Sequence, residues 1–275
     1  MKTIIVATDF SKAASNATNY AADMALSIQA DILLLYIHQI PVVYIEVPIT
    51  ASEYEMMNDA KKSLSQLQAQ LITRTNGKLN IKTEIGAGVF FKELNAVCEK
   101  IKPYAVVMGS QGTTAAERVF YGGHTIYAMN HLKWPLITVP QGSGFSQIKK
   151  ICLACDFEKI IDSTPVDEIK RLVNDFHAEL HVINSGKKEP PGPGVVFESG
   201  MLQEMLVSIN PQYHFINNEN VDEGIINFVE KNKIDLLIAL PKSKGLLKKI
   251  IHKSVSKQLI LHSHVPVIAI HPIPH

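Results

Sequence analysis

The sequence predicts an α/β protein of two repeated, doubly wound domains, each on a five-stranded parallel sheet. Three observations carry that prediction. Short β-rich runs alternate with amphipathic helical patterns; the whole series occurs twice; and a polar, glycine-rich stretch, Gln141-Gly142-Ser143-Gly144, lies between the two rounds.

In the first half the β-rich runs are Thr3 to Thr8, Ile32 to His38, Leu79 to Ile85, Ala105 to Gly109 and Leu136 to Val139. Between the first two, Ala14, Ala17, Ala21, Met24 and Ile28 form one helical stripe. Between the next two, Met57, Ala60, Leu64, Leu67 and Leu71 form another. Strands joined through helices make right-handed crossovers, so the sheet is parallel and covered on both faces. The second half repeats the series at Ile151 to Cys155, Leu180 to Asn184, Tyr213 to Ile216, Ile234 to Leu240 and Val267 to Ile270. Val6-Ala7-Thr8-Asp9-Phe10 recurs as Leu153-Ala154-Cys155-Asp156-Phe157 at an offset of 147, and Trp134-Pro135-Leu136-Ile137 as Val265-Pro266-Val267-Ile268 at an offset of 131. The second copy is thus shorter by 16 residues, lost mainly between its second and third strands. Pro190-Pro191-Gly192-Pro193-Gly194 lies there, predicting a loop and a shortened helix. The expected boundaries are 1–140 for the first domain, 141–147 for the linker and 148–275 for the second.

At 275 residues, 46% hydrophobic and 19% charged, the chain has a globular composition and the length of about two domains. The longest strictly apolar run, Ile32 to Ile37, is far too short for a membrane span, and Asp9 interrupts the first apolar stretch before a secretory core could form. The cytoplasm is the expected compartment. Net charge is +1, with 12 basic against 11 acidic residues up to Phe145 and 15 against 15 beyond, so neither half has the basic excess of a nucleic-acid binder. Cys98, Cys152 and Cys155 are too few for a disulfide framework. Cys152 and Cys155 form a C-x-x-C, but within an apolar strand pattern, which favours core packing over metal or redox chemistry. His262-Ser263-His264 has no acid or cysteine close in sequence to complete a tetrahedral metal set.

In an open parallel sheet, ligands bind beyond the carboxyl ends of the strands, where strand order reverses. The first strand ends at Thr8-Asp9, the second at Ile37-His38 and the fourth at Met108-Gly109. Gly109-Ser110-Gln111-Gly112 follows the fourth strand, and nine residues later Gly122-Gly123-His124-Thr125 precedes a helix expected to begin near Ile126. Free amides at such a helix start would suit an anion, although the spacing alone fits ordinary turns equally well. A Walker loop is excluded: no Gly-Lys-Ser/Thr occurs, and no lysine lies between Gly109 and Thr125, only Arg118. No G-x-G-x-x-G follows the first strand, which excludes a dinucleotide fingerprint. Asp9, just before Ser11 and an alanine-rich segment, is also placed to cap a helix.

Two segments, Ile4-Ile5-Val6-Ala7-Thr8-Asp9-Phe10-Ser11 and Met108 to Thr125, resemble the universal stress protein family in its tandem two-domain form, and the likeness runs over nearly the whole chain. The second segment is similar to the family's G-x2-G-x9-G-S/T nucleotide loop. The resemblance implies Rossmann-like domains of the adenine nucleotide alpha hydrolase type and binding of ATP or a related adenine nucleotide. The implicated residues are Ala7, Thr8, Asp9, Ile37, Met108, Gly109, Gly112, Gly122, Gly123, His124 and Thr125. Asp9 would meet the adenosine moiety, Ile37 the adenine through its backbone, and the glycine loop the ribose and phosphates. Gly123 stands where the family has serine or threonine, removing a phosphate-facing hydroxyl that Thr125 could supply two residues on. With no lysine clamp, Mg is the expected counter-charge.

In the second copy Ala239, Lys242, His252 and Lys253 occupy the positions of Gly109, Gly112, Gly122 and Gly123, so nucleotide binding is expected only in the first. Its lysines at 242, 244, 248, 249, 253 and 257 suit a solvated helix face or an acidic partner. The resemblance also implies that the two apolar fifth strands pair, and a homodimer of tandem chains is expected from the same edges. The expected activity is a nucleotide-dependent stress-response switch acting on a protein partner, with no catalytic residue assigned. The rivals are a nucleotide-free scaffold and a slow ATP hydrolase or phosphotransferase using Asp9 or His124.

Overall fold

The computed structural model describes residues 2–39, 51–110, 115–157, 160–186, 193–241 and 255–272. The chain divides into two compact units, Met1–Ala128 with Gln141–Phe145, and Met129–Pro140 with Ser146–His275.

The first unit alternates β1 (Thr3–Ala7), α1 (Lys12–Ile28), β2 (Asp31–Gln39), α2 (Ala51–Arg74), β3 (Ile81–Gly88), α3 (Phe90–Ile101) and β4 (Ala105–Ser110), and α4 (Ala115–His131) begins in it. Its strands lie in the order β3-β2-β1-β4, all parallel. Ile4 to Ala7 and Ile32 to Leu35 are buried without alternation, as strands covered on both faces must be. Ser11 caps α1, its Oγ accepting from the Ala14 amide at 3.2 Å, a contact worth about 1 kcal/mol. The predicted stripe of α1 is buried throughout, and its alanines let the helix lie close to the sheet. Of the α2 stripe, Ala60, Leu64 and Leu71 are buried and Met57 and Leu67 half-buried.

The second unit contains β5 (Leu136–Pro140), β6 (Lys150–Ala154), α5 (Ile160–Ser163), α6 (Val166–Phe176), β7 (Glu179–Gly186), α7 (Pro193–Leu206), β8 (Gln212–Asn217), α8 (Val221–Lys231), β9 (Leu236–Ala239), α9 (Val255–His262) and β10 (Val267–Ala269). Strand order is β5-β10-β9-β6-β7-β8. All pairs are parallel except β5 with β10, where Leu136, Ile137 and Thr138 oppose Ala269, Ile268 and Val267. The two fifth strands of the repeat therefore pair, and β5 is counted with the second unit although the repeat assigns it to the first half.

The repeat extends to individual backbone angles. Phe10 and Phe157 both have positive φ, at 64° and 53°. The Phe10 amide donates to Thr8 Oγ1 at 3.1 Å and the Phe157 amide to Cys155 Sγ at 3.4 Å. Just before them, the Thr8 amide donates to the Leu35 carbonyl and the Cys155 amide to the Ile183 carbonyl, at 2.9 and 3.0 Å. Cys152 is fully buried in β6 and burial pushes its thiol above the usual range, while Cys155 lies just past the strand end.

One helix of the second copy is divided, and two local expectations change. The counterpart of α1 is divided into α5 and α6, because Pro165 between them supplies no amide to a helical ladder. α7 begins at Pro193, so the end of the proline run opens the helix instead of staying in a loop; proline loses nothing at a first helical position, where its amide would be unpaired anyway. At 14 residues α7 is shorter than the 24-residue α2, as expected. Finally, α4 starts at Ala115 and not near Ile126, so Gly122 to Thr125 lie inside it. The alanines, Glu117 and Arg118 that open it are good helix formers, and they carry the helix through two glycines. Among the described residues, no helix is long and apolar enough to cross a membrane.

Candidate functional site

The first unit's topology creates one reversal of strand order. From β1 the chain steps outward to β2 and β3, then returns to place β4 on the opposite side of β1. The crevice beyond the carboxyl ends of β1 and β4 is the switch point at which open α/β sheets receive ligands.

Ala7 and Thr8 are buried at the end of β1, and Asp9 projects exposed just beyond. The Asp9 carboxylate accepts from the Ser11 amide at 3.0 Å, while Ser11 caps α1. Asp9 thus braces the capping residue and leaves most of its carboxylate accessible. Ile37 is buried at the end of β2, opposite Gly86 of β3. β1 pairs with β2 as far as Ala7 opposite Leu35, so Asp9 lies two residues beyond the paired end of β1 and Ile37 two residues beyond Leu35 on β2.

On the other side, Met108 is buried and Gly109 half-buried near the end of β4. A Cβ at Gly109 would lie 2.7 Å from both the carbonyl carbon and oxygen of Ala13, so this glycine admits the first turn of α1. That role was not apparent from spacing. Thr125 is buried, its Oγ1 at 3.5 Å donating to the Gly109 carbonyl, which ties α4 to the β4 end. The exposed His124 ring stacks on Phe90 with centroids 4.7 Å apart, and Phe91 meets Tyr127 edge to face at 4.8 Å, so two aromatic contacts join α3 to α4. Gly112 lies outside the described residues, as do Lys242, His252 and Lys253 of the second copy, whereas Ala239 is buried in β9.

The structure therefore gathers Asp9, Ile37, Met108, Gly109 and Thr125 along the ends of three adjacent strands. Gly122 and Gly123 lie within a helix, so their amides do not form the helix start expected from the spacing. Nothing lies within 4 Å of a Cβ built at Gly123. Gly123→Ser, which places a hydroxyl where the family has one, is expected to fold normally and to melt slightly higher, by about 0.5 kcal/mol of helix propensity. Thermal denaturation against the parent chain checks this.

Comparison with known proteins agrees with this architecture. The model of the universal stress protein family matches residues 1–140 and again 148–271. The chain belongs to the universal stress protein family. Its tandem organisation follows from the two matches. A universal stress protein of Methanocaldococcus jannaschii is 24% identical over 140 residues, which are 50% of this chain and 81% of that protein. The crystal structure of a universal stress protein from Archaeoglobus fulgidus is similar over 98% of both chains, with a TM-score of 0.75 and 19% identity. A functionally unknown protein from Pseudomonas aeruginosa is similar over 99% of this chain and 93% of its own, with a TM-score of 0.62 and 13% identity. These structural likenesses show the fold.

Proposed function

We propose that the first unit binds ATP or a related adenine nucleotide and that this universal stress protein acts as a nucleotide-dependent regulatory switch. The observation carrying this reading is the convergence of Asp9, Ile37 and the Gly109–Thr125 contact on the carboxyl ends of β2, β1 and β4, at the unit's only topological reversal among the described strands.

The residues fit the nucleoside half of such a ligand well. Asp9 is exposed with carboxylate capacity to spare for ribose hydroxyls, and the end of β2 offers backbone to a base edge. Residues 109–125 would meet the phosphates, with Thr125 supplying a hydroxyl near Gly109. Mg, when bound, would offset phosphate charge that no lysine here neutralises. Phosphates belong on the β4 side, so the base extends towards β2 and β3. The second copy, with side chains at all four glycine positions, serves structure or a partner protein. A cytoplasmic homodimer completes the reading.

Calorimetric titration of the full chain with ATP and Mg tests it. One site per chain is expected, and Gly112→Val should weaken binding at least about 10-fold by filling space that the ligand needs. Undiminished affinity in that variant would remove the loop from the site.

A further inference from the structure

The β3 side of the crevice is bare backbone under a carboxylate. Gly86 and Gly88 are both on the face that Ile37 shares, since Ile37 pairs with Gly86 and Gln39 with Gly88. A Cβ at Gly88 would meet Glu93 Oε1 at 3.1 Å. One at Gly86 would meet Ile37 Cγ1 at 3.4 Å, Glu93 Cβ at 3.6 Å and Glu93 Oε2 at 3.9 Å. Glu93, in the first turn of α3, therefore reaches back over the end of β3 and shares one small space with Ile37. Gly88 has φ 141°, a conformation that glycine adopts freely, which keeps this stretch free of side chains.

Glu93 is half-buried, and among the described residues its carboxylate has no hydrogen-bond or ion-pair partner. Its position in a helical first turn is favourable for a negative charge, but that contributes only about 0.3 to 1 kcal/mol and does not require two glycines beneath it. At the strand ends Ile37 pairs with Gly86, and Asp9 lies two residues past the end of the adjacent β1. β1, β2 and β3 are adjacent in the sheet, so a nucleoside whose sugar lies by Asp9 past β1 extends its base over the end of β2 towards β3. Asp9 thus lies past β1 and Glu93 over the end of β3, with Ile37 on the intervening β2.

We infer that Glu93 sets the base preference of this site by accepting a hydrogen bond from the exocyclic amino group of adenine. This rests on the nucleotide reading above and names the residue that makes it adenine-selective. A carboxylate only accepts hydrogen bonds. Held opposite position 6 of the purine, it pairs with the amino group of adenine and repels the carbonyl oxygen that hypoxanthine carries there, a discrimination by the unfavourable contact as much as by the favourable one.

The test is calorimetric titration of the full-length parent, Glu93→Gln and Glu93→Ala with ATP, ITP and GTP. The parent should bind ATP at least about 10-fold more tightly than ITP. In Glu93→Gln the amide can turn its N–H groups towards a 6-carbonyl, so the ATP-to-ITP ratio should fall at least about 5-fold. Glu93→Ala should lose ATP affinity by about 10-fold while ITP affinity stays level or rises. A purely structural role would weaken all three nucleotides alike. An unchanged ratio in Glu93→Gln, with ATP still bound, overturns this inference and leaves the nucleotide reading standing; a parent that binds no nucleotide overturns both.

Discussion

Gly109→Ala is expected to destabilise the first unit by about 2 to 3 kcal/mol and to lower its melting temperature by roughly 10 °C. The added Cβ would lie 2.7 Å from two backbone atoms of Ala13, the second residue of α1, and 3.1 Å from that residue's own Cβ. Backbone in a capped first turn cannot yield as the tip of a long side chain does. To make room, α1 must move, and with it the capping contact of Ser11 and the buried face of Ala13, Ala14 and Ala17. Gly123→Ser is the internal comparison: a glycine only 14 residues later whose Cβ position is open. Differential scanning calorimetry of the two variants decides the point. If Gly109→Ala melts like its parent, α1 is not pinned by this contact, and the glycine serves the ligand alone.

Acidification is expected to destabilise the second unit through two histidines on its outer strands. His181 of β7, buried, and His214 of β8 lie with Nδ1 and Nε2 3.0 Å apart, their rings stacked at 5.2 Å and both close to Phe228 of α8. One nitrogen must donate and the other accept, so the contact needs at least one neutral ring. Burial lowers the pKa of both. His181 is lowered further by the charges of His214 and of Lys150 on β6, against the opposing pull of Glu179, whose carboxylate lies 3.6 Å from its Nε2. A folded pKa below the unfolded 6.5 means that the unfolded chain binds more protons in the interval between them, so stability rises with pH there. The contribution is complete above about pH 6.5 and is lost as pH falls from that value through the folded pKa. Denaturant titrations at pH 7.5 and 5 should show it, with a smaller difference in His214→Gln, where one proton acceptor and one like charge are gone. An equal difference in that variant would assign the acid sensitivity elsewhere, for which His271, lowered by burial beside the Met129 carbonyl, is the next candidate.

The repeat and the parallel sheets were legible because they depend on periodic features: unalternated apolar strands and alanine or leucine stripes every three to four residues. All five strands of each copy formed within a few residues of their expected limits. What escaped the sequence depended on single contacts. Pro165 and Pro193 have the same chemistry, yet one lies between two short helices and the other is the first residue of one. The glycine pair at 122 and 123 suggested a helix start, but good helix formers before it carry α4 through. Gly109 drew attention as a ligand glycine, whereas the nearest atoms to its missing side chain belong to α1. Glu93 gave no signal at all, since a glutamate in a helical first turn is commonplace, and only the folded β3 end brings it over Gly86 and Gly88.

The two copies also form an experiment that gene duplication has already run. A phenylalanine in left-handed backbone costs about 1 to 2 kcal/mol, and any drift to glycine would relieve it. Phe10 and Phe157 nevertheless occupy equivalent turns, one in a copy with the glycine loop and the other in a copy with other residues at all four glycine positions. The strained turn therefore goes with the start of the first helix, common to both halves, and is independent of the loop glycines, of which Gly109 has its own packing constraint against Ala13 of α1. Comparison of the two copies thereby separates the turn that they share from the loop glycines that only the first half carries.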